Sequence, residues 1–352
     1  MAPSATSPTL PPQTNPSDAF IPLIDFSPLL TGNPSEKLTT AQSVLHAFET
    51  SGFLYLHSHP IAPDLLSSVF RHSAAFFARP QAQKDSIAWT SAEANRGYVT
   101  QGREKVTDLT DKEAVDKLRQ GSPDLKESFE IGREGEEGHP NRWPDFDGEK
   151  EGAHFKDVMQ EFFLKCKDMH CLVMRAIALG MGLEERFFDG FTQQGDNNLR
   201  LLHYPAVSKS VFDQGKQQMR AGEHSDYGSV TLLFQDQRGG LQVMTPSGKF
   251  IDATPIEGTV VVNAGDLLER WSNDRIKSTK HRVVEPPAIT KGEGGAREDC
   301  YPARYSVVYF CNPDYNRWIE ALPGTWEGEK GGKKYEGINS GEYLVQRLSA
   351  TY

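Results

Sequence analysis

His224 and Asp226 stand two positions apart at the head of an apolar, β-branched run, within the stretch Glu223–Phe234. In an extended chain, residues i and i+2 project from the same face. An imidazole and a carboxylate therefore point the same way at the mouth of a buried sheet. Two donors do not close a metal site. His281, inside the strand-like run Lys280–Val284, is the candidate third. Two His and one carboxylate on one side of a metal, with open positions opposite, is the arrangement used for non-heme Fe(II). A chain with 10 His also produces His-x-Asp by accident, so the pair alone carries little weight.

A second anchor adds weight. Arg304 and Ser306 open the strand-like run Arg304–Cys311 and share a face by the same alternation. A guanidinium fork beside a hydroxyl suits a carboxylate held by parallel hydrogen bonds. His-x-Asp, a distal His and Arg-x-Ser, in that order, is far more specific than any one part. With these residues the chain resembles the Fe(II)/2-oxoglutarate-dependent dioxygenases of the isopenicillin N synthase-like family, from about Phe20 to the C-terminus. Asn95–Tyr98, Lys126–Arg133, Arg200–Pro205 and Gly337–Gly341 carry the likeness further, toward the branch of the family that oxidises the methyl group of thymine.

The resemblance implies Fe(II) held by His224, Asp226 and His281, with 2-oxoglutarate and dioxygen as co-substrates. It places the far carboxylate of 2-oxoglutarate on Arg304, Ser306 and Tyr204. The common plant-type pattern has Asn two residues before that tyrosine. Leu202 stands there instead, so that polar contact is not carried over. The implied reaction decarboxylates 2-oxoglutarate to succinate and hydroxylates a C–H bond, here a methyl group on a small ring, thymine first, with successive oxidations to the carboxylate. Strand parity adds Arg200 and Phe310 as substrate contacts, and adjacency to the triad adds Tyr227. Arg200 is either that or a buried structural arginine, and Phe310 either that or an ordinary core aromatic. An arginine beside an aromatic wall also suits a secondary-metabolism oxygenase acting on a methylated aromatic or polyketide. A non-catalytic metal-binding jelly roll is the reading from another class, and it leaves Arg304 and Ser306 without a use.

Composition narrows the classes. A formal charge of −10 argues against a nucleic-acid partner, whose phosphates it would repel. No apolar run reaches the roughly 18–20 residues of a membrane span. Cys166, Cys171, Cys300 and Cys311 form no Cys-x-x-Cys pair and read as reduced thiols of a cytoplasmic protein; the small-molecule substrate is what the resemblance implies.

The elements that must position these groups fall into two parts. A leader at 1–18, rich in Pro, Ser and Thr, is expected to be disordered; 19–352 then forms one dioxygenase domain. Its first part, 19–195, is mainly helical. Asn33-Pro34-Ser35-Glu36 is a helix start with cap, N1 proline and capping-box glutamate. Leu38, Ala41, Leu45 and Phe48 mark that helix's face, and Gly52 is placed to end it. A second helix spans about Pro63–Ala78, and Asn95–Lys150 reads as one long loop. His154–Leu183 is a long helix whose stripe is Phe155, Val158, Met159, Phe162 and Phe163. From 196 to 352 short strands alternate with Gly/Pro turns, closed by a helical pattern at Tyr343–Leu348 that packs back across the mouth. The expected class is α+β: a double-stranded β-helix (jelly-roll) core flanked by N-terminal and backing α-helices.

Overall fold

The computed structural model describes residues 21–103, 124–144, 150–213, 219–285, 300–327 and 331–351. The expected leader, and most of the glycine-rich stretch Glu285–Ala303, lie outside them. The strands in chain order are β1 (Leu23–Asp25), β2 (Phe53–His57), β3 (Gly97–Val99), β4 (Glu127–Gly132), β5 (Asn198–Tyr204), β6 (Val207–Ser208), β7 (Ala221–His224), β8 (Val230–Gln235), β9 (Leu241–Met244), β10 (Phe250–Asp252), β11 (Val260–Ala264), β12 (His281–Val283), β13 (Cys300–Tyr301), β14 (Arg304–Cys311), β15 (Trp318–Ile319) and β16 (Ile338–Asn339). An eight-stranded sheet runs β1-β2-β11-β8-β14-β5-β4-β3, and a four-stranded sheet runs β10-β9-β12-β7. These are the two faces of a jelly roll.

Helix α1 (Pro34–Thr50) begins as the sequence requires. The Asn33 side chain accepts from the backbone N–H of Ser35 and Glu36, and Glu36 accepts in return from Asn33 N–H at 2.8 Å. Its buried face is Ala41, Val44, Leu45 and Phe48, whereas Leu38 is 42 % exposed, so the expected stripe is one residue wrong. Gly52 ends it at φ +72°, where a Cβ would also lie 2.4 Å from the Lys277 carbonyl. Helix α2 (Pro63–Phe77) and the long helix α3 (Lys150–Gly180) complete the layer.

The large sheet is buried on both faces. Leu199, Leu201, Leu232, Phe234, Val262, Val307 and Tyr309 face the helices and share one core with Phe155, Met159, Phe162 and Met174. Ring pairs Phe162–Phe234 and Phe163–Tyr309, with centroids 5.3 and 5.1 Å apart, lock α3 against β8 and β14. The alternate residues Phe53, Leu202, Tyr204, Val261 and Val308 face the small sheet and pack with Leu241, Val243 and Val283. The candidate site occupies that inter-sheet space.

The segment Asn95–Lys150 is not one long loop. It supplies β3 and β4, which extend the large sheet beyond β5; residues 104–123 and 145–149 fall outside the described part. Beyond the strands, Asp266–Trp271 forms a short helix α4 where only a turn was expected, and the closing helix α5 spans Ser340–Thr351.

Candidate active site

Register brings the candidate ligands together. His281 opens β12 directly opposite His224, the last residue of β7, and their rings lie 4.3 Å apart. Asp226 sits just past the end of β7, in the turn that crosses to β8 of the large sheet, rather than within a strand. One donor atom from each of His224, Asp226 and His281 falls within 4.8 Å of the others.

The surroundings aim those atoms. Nδ1 of His224 is 2.7 Å from the Gly222 carbonyl, and Nδ1 of His281 is 3.2 Å from the Thr279 carbonyl. A carbonyl can only accept, so both rings donate from Nδ1 and keep the Nε2 lone pair for a cation. Asp226 Oδ2 accepts from Thr231 Oγ1 at 2.6 Å and Asn263 Nδ2 at 2.8 Å, while Oδ1 faces His281 Nε2 at 3.7 Å. Burial first, then the nearby His281, pushes the His224 imidazole down to about 3, so it is neutral at ordinary pH. Burial opposes ionisation of Asp226, but the positive charge that His281 and His224 carry when protonated, and the hydrogen bonds from Asn263 and Thr231 in either case, hold the carboxyl below its usual value. Neutral imidazoles and an ionised carboxylate are what a divalent metal requires. The donor set fits Fe(II).

The turn bearing Asp226 is clamped by α4. Asp266 N–H donates to the Asp226 carbonyl at 2.7 Å and Gly265 N–H to the Ser229 carbonyl at 2.9 Å. A Cβ on Gly265 would stand 2.5 Å from the Gly228 carbonyl and 2.9 Å from that of Asp226. Gly265→Ala must therefore displace the ligand turn. A loss of about 1–3 kcal/mol in stability is expected, together with weakened iron binding, read by thermal unfolding and Fe(II) titration. An alanine variant that matches the parent in both would show that the turn has slack.

Arg304 begins β14, paired in register with Tyr204 on β5. Its Nη1 donates to Ser306 Oγ at 2.7 Å, Nη2 reaches Gln235 Oε1 at 3.3 Å, and its guanidinium lies 4.9 Å from the Tyr204 ring centre. Leu202, Tyr204, Arg304 and Ser306 all line the cavity that contains the triad. Further along the same strands, Arg200 stacks 5.1 Å above the Phe310 ring and pairs with the buried Glu130 of β4 at 2.7 Å. Arg200 is thus both buried in an ion pair and exposed to the cavity. Tyr227 closes another wall. It shares a 2.7 Å hydrogen bond with Thr351 of α5 and lies beneath the Arg347 guanidinium at 4.4 Å.

Sequence reasoning passed over several groups. Asn263, which fixes Asp226, ends a run of three valines, and a lone amide in such a strand was a usable signal. Glu130 was hidden in a segment read as loop. Lys126, Asn198 and Asn312 also line the cavity, and so do Asn95 and, from the helix expected to pack back across the mouth, Leu344 and Leu348.

Comparison with known proteins defines the class. Residues 21–146 match the family described as non-haem dioxygenase in morphine synthesis N-terminal, and residues 195–313 match the 2OG-Fe(II) oxygenase superfamily. The chain is 34 % identical to 2-oxoglutarate-Fe(II) type oxidoreductase ppzD of Metarhizium rileyi, over 94 % of this chain and 90 % of that protein. It is 32 % identical to Proline hydroxylase buaE of Petromyces alliaceus, over 94 % and 98 %. The chain belongs to the 2OG-Fe(II) oxygenase superfamily and is a non-haem dioxygenase that uses Fe(II) and 2-oxoglutarate. Among solved structures, it is similar to Neurospora crassa thymine 7-hydroxylase in complex with 2-oxoglutarate and thymine, at 58 % identity and a TM-score of 0.86 over 96 % of this chain and 99 % of the other. No helix of the described residues is long and apolar enough to cross a membrane.

Proposed function

We propose that this dioxygenase hydroxylates the methyl group of thymine, in successive rounds that end at the carboxylate. His224, Asp226 and His281 would hold Fe(II); Arg304, Ser306 and Tyr204 would hold the far carboxylate of 2-oxoglutarate. Bound together, the metal and 2-oxoglutarate supply the oxidising chemistry, in which dioxygen is reduced, 2-oxoglutarate is decarboxylated to succinate and one oxygen enters the substrate C–H bond. The protein's part is to place the methyl group and to exclude water.

The observation that carries the reading is the wall formed by Arg200 and Phe310, with Tyr227 lining the same cavity. A flat ring can lie against Phe310 while the Arg200 fork, fixed by Glu130, donates in its plane to a ring carbonyl. The likeness to a thymine-bound relative supports the same choice. Relatives at about a third identity include a proline hydroxylase, which keeps open a substrate from secondary metabolism.

Substrate-dependent succinate release separates the two. Thymine and 5-hydroxymethyluracil should drive it, with formation of the more oxidised ring; methylated aromatics should not. Thymine that neither binds nor stimulates decarboxylation would end the pyrimidine reading. Arg200→Lys replaces the planar fork by a point charge, and kcat/KM for thymine should fall about 10–100-fold. The visible band of anaerobic enzyme with Fe(II) and 2-oxoglutarate should be unaltered. Undiminished turnover at low thymine would remove Arg200 from the substrate site.

A further inference from the structure

Arg220, just ahead of β7, is 0 % exposed. Its Nη2 donates to the Pro302 carbonyl at 2.9 Å, two residues before Arg304, and its backbone N–H donates to the Val283 carbonyl at 2.9 Å. Its Nε and Nη1 are equally enclosed and meet no partner among the described residues. Arg304, 1 % exposed, has an Nε in the same condition.

The cations that line the cavity beside Arg304 are neutralised. Lys126 lies 3.4 Å from Asp124, and Arg200 lies 2.7 Å from Glu130. Among the described residues no carboxylate stands at ion-pair distance from Arg220 or Arg304. The two repel: burial first, and then Arg304, pushes Arg220 down to about 10, with Tyr204, Asp236 and Glu285 offsetting only part of this. Burying a cation without a counter-charge is strongly unfavourable. Two neighbouring ones are tolerable where an anion is to be received between or beside them.

Arg220 is not among the residues that line the cavity, but its neighbour Ala221 and Arg304 both are. Resting on the reading that Arg304 grips the far carboxylate of 2-oxoglutarate, we propose that Arg220 is a second cation acting on that carboxylate's site from behind the cavity wall. It acts as a positioning residue in two ways. Its bond to Pro302 fixes the entry of β14 and so the root of Arg304. Its charge, in a region from which water is excluded, strengthens the field felt by an arriving carboxylate. Selectivity for 2-oxo acids with a charged far end follows.

The test uses the full chain with Mn(II), so that affinities are read by calorimetry without turnover. The probes are 2-oxoglutarate and its far-end monomethyl ester, which share a chelating end and differ in whether the far group is a carboxylate or a neutral ester. Arg220→Gln can still donate to Pro302. It should weaken 2-oxoglutarate about tenfold, the loss of one nearby positive charge in a region of low dielectric, and change the far-end methyl ester by less than about twofold. Arg220→Met should reproduce that ratio, and Arg220→Lys should restore most of the affinity for 2-oxoglutarate. Equal weakening of both ligands, or of neither, would reduce Arg220 to a structural arginine and overturn the proposal. Arg304→Met is the control. If it leaves 2-oxoglutarate binding intact, the reading of Arg304 falls; if it weakens binding while Arg220→Gln does not, only the role of Arg220 falls.

Discussion

Asp226→Ala is expected to cost Fe(II) affinity well beyond the roughly 10–100-fold typical of a lost outer-shell partner, and to take turnover below about a thousandth of the parent. The reason lies in the division of labour within the triad. Two neutral imidazoles supply lone pairs, and the carboxylate alone supplies negative charge. Asp226 Oδ2 is fully occupied by Thr231 and Asn263, which leaves Oδ1 as the atom turned toward His281 and the metal position. Alanine also orphans two buried donors at about 1–3 kcal/mol each, so Asp226→Asn, which keeps an acceptor there, separates folding from metal binding. Asn263→Ala should give the intermediate result: about 10–100-fold weaker iron with the fold retained. Anaerobic Fe(II) titration in the presence of 2-oxoglutarate measures all three. An Asp226→Ala enzyme that takes up iron and turns over like the parent would dismantle the site proposed here.

How much of this was legible follows from which interactions are local. The capping box at Asn33–Glu36 and the helix end at Gly52 depend on neighbours in sequence, and they stand as written. Arg304, Ser306 and Phe310 could be placed on one face because β14 alternates without a bulge, and all three line the cavity. The strand β4 was invisible for the opposite reason. Glu127-Ser128-Phe129-Glu130-Ile131-Gly132 puts carboxylates on both faces of a fully buried strand. Each acid is tolerated only through distant partners: Glu127 accepts from Lys84, His203 and Tyr98, and Glu130 pairs with Arg200. No pattern within the segment announces a lysine 43 positions back. The His-x-Asp pair was legible as a spacing, but its geometry was not. The strand ends at His224, and Asp226 is aimed by the α4 clamp and by Asn263 rather than by strand alternation.

Removing α5 by ending the chain before Ser340 should lower kcat/KM for the ring substrate on the order of a hundredfold, the scale of effect that slight misplacement of reacting groups produces. Leu344, Leu348 and Thr351 form part of the cavity wall, so their loss opens the site to water at the side where Tyr227 stands. Tyr227 would lose both its hydrogen bond to Thr351 and the Arg347 guanidinium above its ring. The helix is also tied to the metal side. Arg347 pairs with Asp266 at 3.1 Å, and Asp266 accepts from Ser225, the residue between His224 and Asp226. The backbone bond from Asp266 to Asp226 does not involve the helix, however, so the ligand turn should keep its shape. Binding of Fe(II) and of 2-oxoglutarate should therefore survive within a few-fold, while succinate release becomes uncoupled from substrate oxidation. Calorimetry for the co-substrate, beside the ratio of succinate to hydroxylated product, reads the two effects separately. A truncated enzyme that stays fully coupled would place the substrate wall elsewhere. One that loses 2-oxoglutarate binding as well would show that α5 supports the whole cavity and not only its mouth.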